Sequence, residues 1–136
     1  MSTAQNLLYA SVQAAHNLGA VAVVGGALAG VAEKHPGLRK TLARITLAGW
    51  LIQGVSGATF GAVSYYYYGK FPDIGDIAWT ALFVKMGCAA TGLLLLAAYL
   101  GWGANWPEGR RNGTWIASLV LGVTALSAAA VLRWFS

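Results

Sequence analysis

Acidic side chains are scarce in this sequence. Asp and Glu number four among 136 residues, and Glu33, Asp73, Asp76 and Glu108 all fall in polar breaks between apolar runs. The lack of a carboxylate inside any apolar run argues against a carboxylate proton relay or a cation pathway across a membrane. Cysteine is nearly missing too: Cys88 alone can form neither an intramolecular disulfide nor a thiolate metal cluster. A zinc or copper centre needs several ligands, and near the middle of the runs stand only His16, Cys88 and Met86. The three prolines, Pro36, Pro72 and Pro107, all lie in the breaks. Walker, Rossmann and catalytic-triad motifs are missing, as are internal repeats, low-complexity segments and any sign of a second domain.

What the chain has in plenty is apolar residues. They make up 57% of it against 10% charged, with a mean hydropathy of +0.59, more than a water-soluble domain of this size needs for its core. Four runs, at about 6–31, 42–67, 77–101 and 114–134, each meet the about 20 residues needed to cross a bilayer. The breaks "EKHPGLRK", "GKFPDIGD" and "GANWPEGRRNG" combine proline, glycine and charge, which end helices and face water. The expectation is an all-α, integral-membrane four-helix bundle, one domain over residues 1–136, with up-down-up-down topology.

The net charge of +5 is unevenly placed. Lys34, Arg39, Lys40 and Arg44 crowd the first break and Arg110 and Arg111 the third, whereas Lys70 shares the second with Asp73 and Asp76. This asymmetry is the positive-inside pattern and puts breaks one and three in the cytoplasm, with both termini outside a bacterial-type inner membrane. Arg133 is a minor exception. The same distribution argues against nucleic acid as a partner. Tyr65–Tyr68, Trp79, Trp134 and Phe135 would form an outer aromatic belt, and Trp102, Trp106 and Trp115 an inner one. The first run lacks a basic n-region and is expected to be retained rather than cleaved as a signal peptide.

Glycine, 18 residues in all, marks packing seams, because close backbone approach supplies the attraction between helices in lipid. Gly26 and Gly30 form a GxxxG pair extended back by Ala22, Gly57 and Gly61 form another, and Gly49 and Gly54 add to the second run. Helix packing and the close approach of a flat cofactor are both compatible with that spacing.

Ionisable groups deep in an apolar run are functional candidates by default. His16 and Lys85 are the two, and their depths agree to within one helical turn, both in the outer half of the membrane. Gln53, Ser56, Thr59, Gln13, Thr124 and Ser127 extend a polar layer across all four runs. Lys85 either snorkels to the interface or, as a cation, holds a haem propionate or substrate carboxylate. His16, whose own-helix neighbours Val12, Gly19 and Ala20 offer no partner, is either a neutral imidazole bonded to another helix or an axial ligand of haem iron. In the second case Gly19 and Ala20 would let a porphyrin lie against the helix. His35, 19 residues on, is roughly 28 Å away along a helix and cannot share that iron; it reads as a solvated loop histidine. Five-coordinate haem, haem shared between two chains, and a non-histidine second ligand such as Lys85 all remain open.

The segments "HNLGAVAVVGG", "RITLAGWLIQG" and "WTALFVKMG", over about residues 10–102, resemble the small four-helix HemJ and CopD-like membrane proteins. HemJ-type proteins bind haem b and oxidise protoporphyrinogen, and the histidine and lysine of their first and third helices are implicated in function. The resemblance places those roles on His16 and Lys85. The further histidines frequent in CopD-like proteins are missing here, which weakens a copper role. The expected function is therefore that of a b-type haem protein in electron transfer or porphyrinogen oxidation, an oxidoreductase in the second case. His16 is its metal ligand, with Lys85, Gly19, Ala20 and Gln53 around the cofactor. Beyond the lipid bilayer, its expected partners are a quinone pool or a periplasmic redox protein, with assembly as a homo-oligomer or within a larger complex. The alternative is a cofactor-free accessory subunit of a respiratory or photosynthetic assembly. A small-solute transporter is the weakest reading, since no charged ring lines any face.

Overall fold

The structure, a computed structural model, describes residues 1–136 and is all-helical. Four long helices run Thr3–Ala32 (α1), Pro36–Tyr68 (α2), Asp76–Trp102 (α3) and Glu108–Phe135 (α4), with one 3-10 turn at Gly103–Asn105. The breaks read from the sequence are where the chain turns, but α2 starts six residues earlier than the apolar run and α4 likewise, because the basic residues after Pro36 and Pro107 are helical. Proline suits a first helical turn, where its missing N–H would have no partner.

Each turn has an identifiable device. Ser2 caps α1 by accepting the N–H of Gln5 at 3.2 Å. Glu33 ends α1, and its carboxylate accepts the N–H groups of Lys34 and His35 at 3.0 and 2.9 Å. Those bonds hold the Glu33 carboxyl below its ordinary pKa of 4.5. His35 is exposed and takes the N-cap of α2, its Nδ1 accepting from the Leu38 N–H. Gly69 ends α2 at φ +69°, a left-handed conformation that favours glycine.

Contacts fix the directions. Gln5 at the start of α1 donates to the Tyr68 hydroxyl at the end of α2 (3.0 Å), and Arg39 at the start of α2 bonds Asn112 at the start of α4 (2.7 Å). Tyr99 late in α3 meets Trp115 early in α4, ring centroids 5.4 Å apart. Each helix packs on its sequence neighbour and α1 closes on α4, giving an antiparallel ring with a basic end and a tyrosine end.

Glycines admit the largest side chains into the centre. Trp50 and Trp115 are at most 1% exposed; Trp50 lies against Gly92, and Trp115 against Gly30, with no room for a Cβ at either glycine. Gly26 faces Thr46 in the same way. A close backbone approach joins α1 and α2 at Gly19 and Gly49, where a Cβ on Gly49 would stand 2.9 Å from the Gly19 carbonyl oxygen. By contrast Gly54 and Gly57 have nothing within 4 Å and Gly61 only the Phe71 ring, so the expected second GxxxG pair is not a seam within this chain.

The outer surface is apolar: Leu18, Val21, Phe83, Leu94 and Val120 are all well exposed around the ring. Helices α1, α4 and α3 with its 3-10 extension are long and apolar enough to cross a membrane, with mean hydropathies of 1.5, 2.1 and 1.9 over an 18-residue stretch of each. Four helices are present, but by composition three qualify as spans. α2, the longest at 33 residues, spends more of its length on basic, hydroxyl and tyrosine side chains.

Candidate functional site

The Gly19–Gly49 approach determines what lies one turn away. On α1 the next residue on that face is His16; on α2 the next turn brings Gln53 and the one after it Ser56. With the backbones this close, the Gln53 side-chain amide donates to the His16 carbonyl, and Ser56 reaches the imidazole itself, Oγ to Nδ1 at 2.6 Å. From α3, Lys85 brings its Nζ to 2.9 Å from His16 Nε2. The edge of the His16 ring also meets Phe60, centroids 5.8 Å apart.

Hydrogen-bond accounting assigns the tautomer. The Ser56 hydroxyl lies 2.6 Å from the carbonyl of Ile52, one turn back on its own helix, and gives its proton there. Its oxygen then accepts from His16 Nδ1–H, which leaves the Nε2 lone pair facing Lys85. An imidazole oriented through Nδ1–H with Nε2 free to accept or coordinate is the form that binds metals.

His16, Lys85 and Gln53 border a cavity of about 160 Å³ between α1 and α4, which Gln13, Asn17 and Ala20 of α1 also line. Its opposite wall, on α4, is small: Gly122, Ala125 and Ala129. Toward the basic end the α1–α4 seam is closed where Gly122 meets Val23 and Val24 and where Gly30 meets Trp115.

Of the residues singled out from sequence, His16, Lys85, Gln53 and Ala20 come together. Gly19 does not line the cavity; it is buried in the α1–α2 seam and acts on the site by setting the helix separation. The polar layer does not extend to all four helices. Thr124 and Ser127 are exposed, Thr59 is half-buried but bonds its own helix at the Val55 carbonyl, and α4 offers the cavity only glycine, alanine and leucine. Cys88 is buried beside Trp50 and Val23, and Met86 is exposed. Asn17 was missed; its signal was Gln13 four residues earlier, to which it is bonded at 2.7 Å. Arg39, which the sequence places among the basic residues of the first break, is 4% exposed and donates from Nε to the Gly30 carbonyl (3.1 Å).

Matched against protein-family models, curated proteins and solved structures, the chain finds no counterpart in any of the three.

The site offers the donor set an axial haem ligand would need: an imidazole with an orienting partner at Nδ1 and an Nε2 lone pair, here taken by Lys85. Its space is tighter. Cofactor pockets commonly run to about 300–1,000 Å³, and a cavity of about 160 Å³ is smaller than a whole porphyrin needs. Lys85, on a flexible four-carbon stem, is the side chain that must turn away from Nε2 for that ligation.

Proposed function

We propose that the chain is an integral-membrane b-type haem protein of the HemJ/CopD-like kind, working in electron transfer or porphyrinogen oxidation, with His16 as the axial ligand. The observation that carries this reading is an imidazole oriented by Ser56 at Nδ1, with Lys85 beside its Nε2, in the middle of an apolar bundle. Haem, when bound, supplies one-electron redox chemistry. Ser56 holds the ring in the coordinating tautomer, and Gln53 fixes the backbone that carries it. All four helices cross the bilayer in this reading, α2 within the same ring as the three more apolar ones. The basic end faces the cytoplasm of a bacterial-type inner membrane and the tyrosine end faces outward. Redox partners would then be a quinone pool or a periplasmic protein.

The test is the visible spectrum of detergent-purified protein, oxidised and dithionite-reduced, beside His16→Ala. A Soret band with reduced α and β bands, missing from the variant, supports the reading; a featureless spectrum under adequate haem supply overturns it.

One observation favours a second reading. Both ring nitrogens of His16 are already engaged within the chain, as in a structural buried histidine. A cofactor-free subunit of a larger membrane complex would keep its partners and its activity in His16→Ala, provided the bundle stays folded.

A further inference from the structure

Lys85 is a half-buried cation ten residues into α3, and no carboxylate in the chain pairs with it. Its polar partner is a neutral acceptor, His16 Nε2. The four carboxylates stand at helix ends or in turns: Glu33 closes α1, Asp73 is in the α2–α3 turn, and Asp76 and Glu108 open α3 and α4. The nearest along its own helix, Asp76, is nine residues away, about 13 Å of helix. An ammonium held among apolar helices without a counter-charge is costly, and the cost is relieved by any anion that can reach it.

The cavity beside Lys85 is suited to receive one. Two N–H groups of the Lys85 ammonium remain after its bond to His16. Asn17 Oδ1 already accepts from Gln13, so the Asn17 amide retains both its donors at the rim. The remaining walls are mostly apolar, with Val23, Val24, Trp50 and Leu126 among them. A volume of about 160 Å³ equals roughly five waters at ~30 Å³ each, room for a carboxylate with a short aliphatic stem.

We propose that this cavity is a carboxylate-binding site, with Lys85 as its counter-cation and Asn17 as a second donor. The carboxylate belongs either to a free short-chain acid or to the propionate arm of a porphyrin. The site goes beyond the haem reading and does not require haem.

Two measurements separate the sources. In haem-free, 15N-lysine-labelled protein in micelles, butyrate shifts the Lys85 Nζ resonance saturably and butyramide does not, the resonance being assigned by its loss in Lys85→Met. Asn17→Leu, a change on the exposed rim that leaves Lys85 in place, weakens butyrate by about tenfold. In the second measurement, wild type binds haem about tenfold or more tightly than haem dimethyl ester, and Lys85→Met loses that preference. Either response supports the site. An inert butyrate titration together with equal binding of haem and its diester overturns it while leaving the haem reading intact. Saturable butyrate binding with no binding of either porphyrin supports the site and overturns the haem reading.

Discussion

Ser56 Oγ and His16 Nδ1 lie 2.6 Å apart across the α1–α2 seam, and the hydroxyl's own proton is committed to the Ile52 carbonyl. Ser56 is thus the residue that decides which imidazole nitrogen is free. Ser56→Ala removes that control while leaving the bundle's volume nearly unchanged. Haem affinity is expected to fall by about 10–100-fold, the usual cost of losing a ligand's orienting partner. A haem titration of Ser56→Ala against Ser56→Thr checks it, the threonine retaining the hydroxyl; an unchanged affinity in the alanine variant removes Ser56 from the site.

The Gly19–Gly49 contact sets the α1–α2 separation, so Gly49→Ala is expected to destabilise the bundle by about 1–3 kcal/mol, the usual cost of overpacking, and to pull Ser56 off the ring. Gly54→Ala, five residues on with open space around it, is expected to be neutral or to stabilise by up to about 1 kcal/mol through helix propensity. Unfolding of both variants in a denaturing detergent titration compares them. Equal losses would show that the close approach carries no energetic weight.

Arg39 ties three helix ends together through Gly30 and Asn112, and its Nη2 has no protein partner. Arg39→Met keeps much of the aliphatic bulk and removes both bonds. A loss of about 1.5–3 kcal/mol is expected, as for hydrogen bonds to a charged group, read in the same titration. Asn112→Ala should lose less, because the bond to Gly30 survives.

The Glu33 carboxyl has a folded pKa below 4.5 because the Lys34 and His35 N–H groups bond its ionised form. A depressed pKa contributes stability that is complete above pH 4.5 and is lost as pH falls through the lower folded value. Glu33→Gln is expected to flatten that part of the pH–stability curve. The Glu33 carboxyl carbon shift, followed by NMR titration, gives the folded value directly; a midpoint at or above 4.5 contradicts the bonding.

Much of the fold was legible because lipid-like composition and proline-glycine breaks are strong local signals. Pro36, Gly69 and Pro107 each fall at a helix boundary. The pairing of His16 with Lys85 was legible only as equal depth, since nothing local says which helix faces which. Other features depended on tertiary register. Glycine spacing looks the same at Gly26/Gly30, which face Thr46 and Trp115, and at Gly57, which faces open space. Gly19 read as a bed for a flat ligand, because its fit against Gly49 exists only once α1 and α2 are paired. The burial of Arg39 was not legible because helix α2 begins before the apolar run does, carrying Arg39 into the bundle.

The measurement closest to the central claim is rescue of His16→Gly by free imidazole. If His16 Nε2 is the axial ligand, the variant purifies without a Soret band, and added imidazole restores a b-type spectrum with saturable dependence on its concentration. Haem retained by His16→Gly with an unaltered spectrum would show that the iron, if present, is held elsewhere and would contradict the assignment of His16.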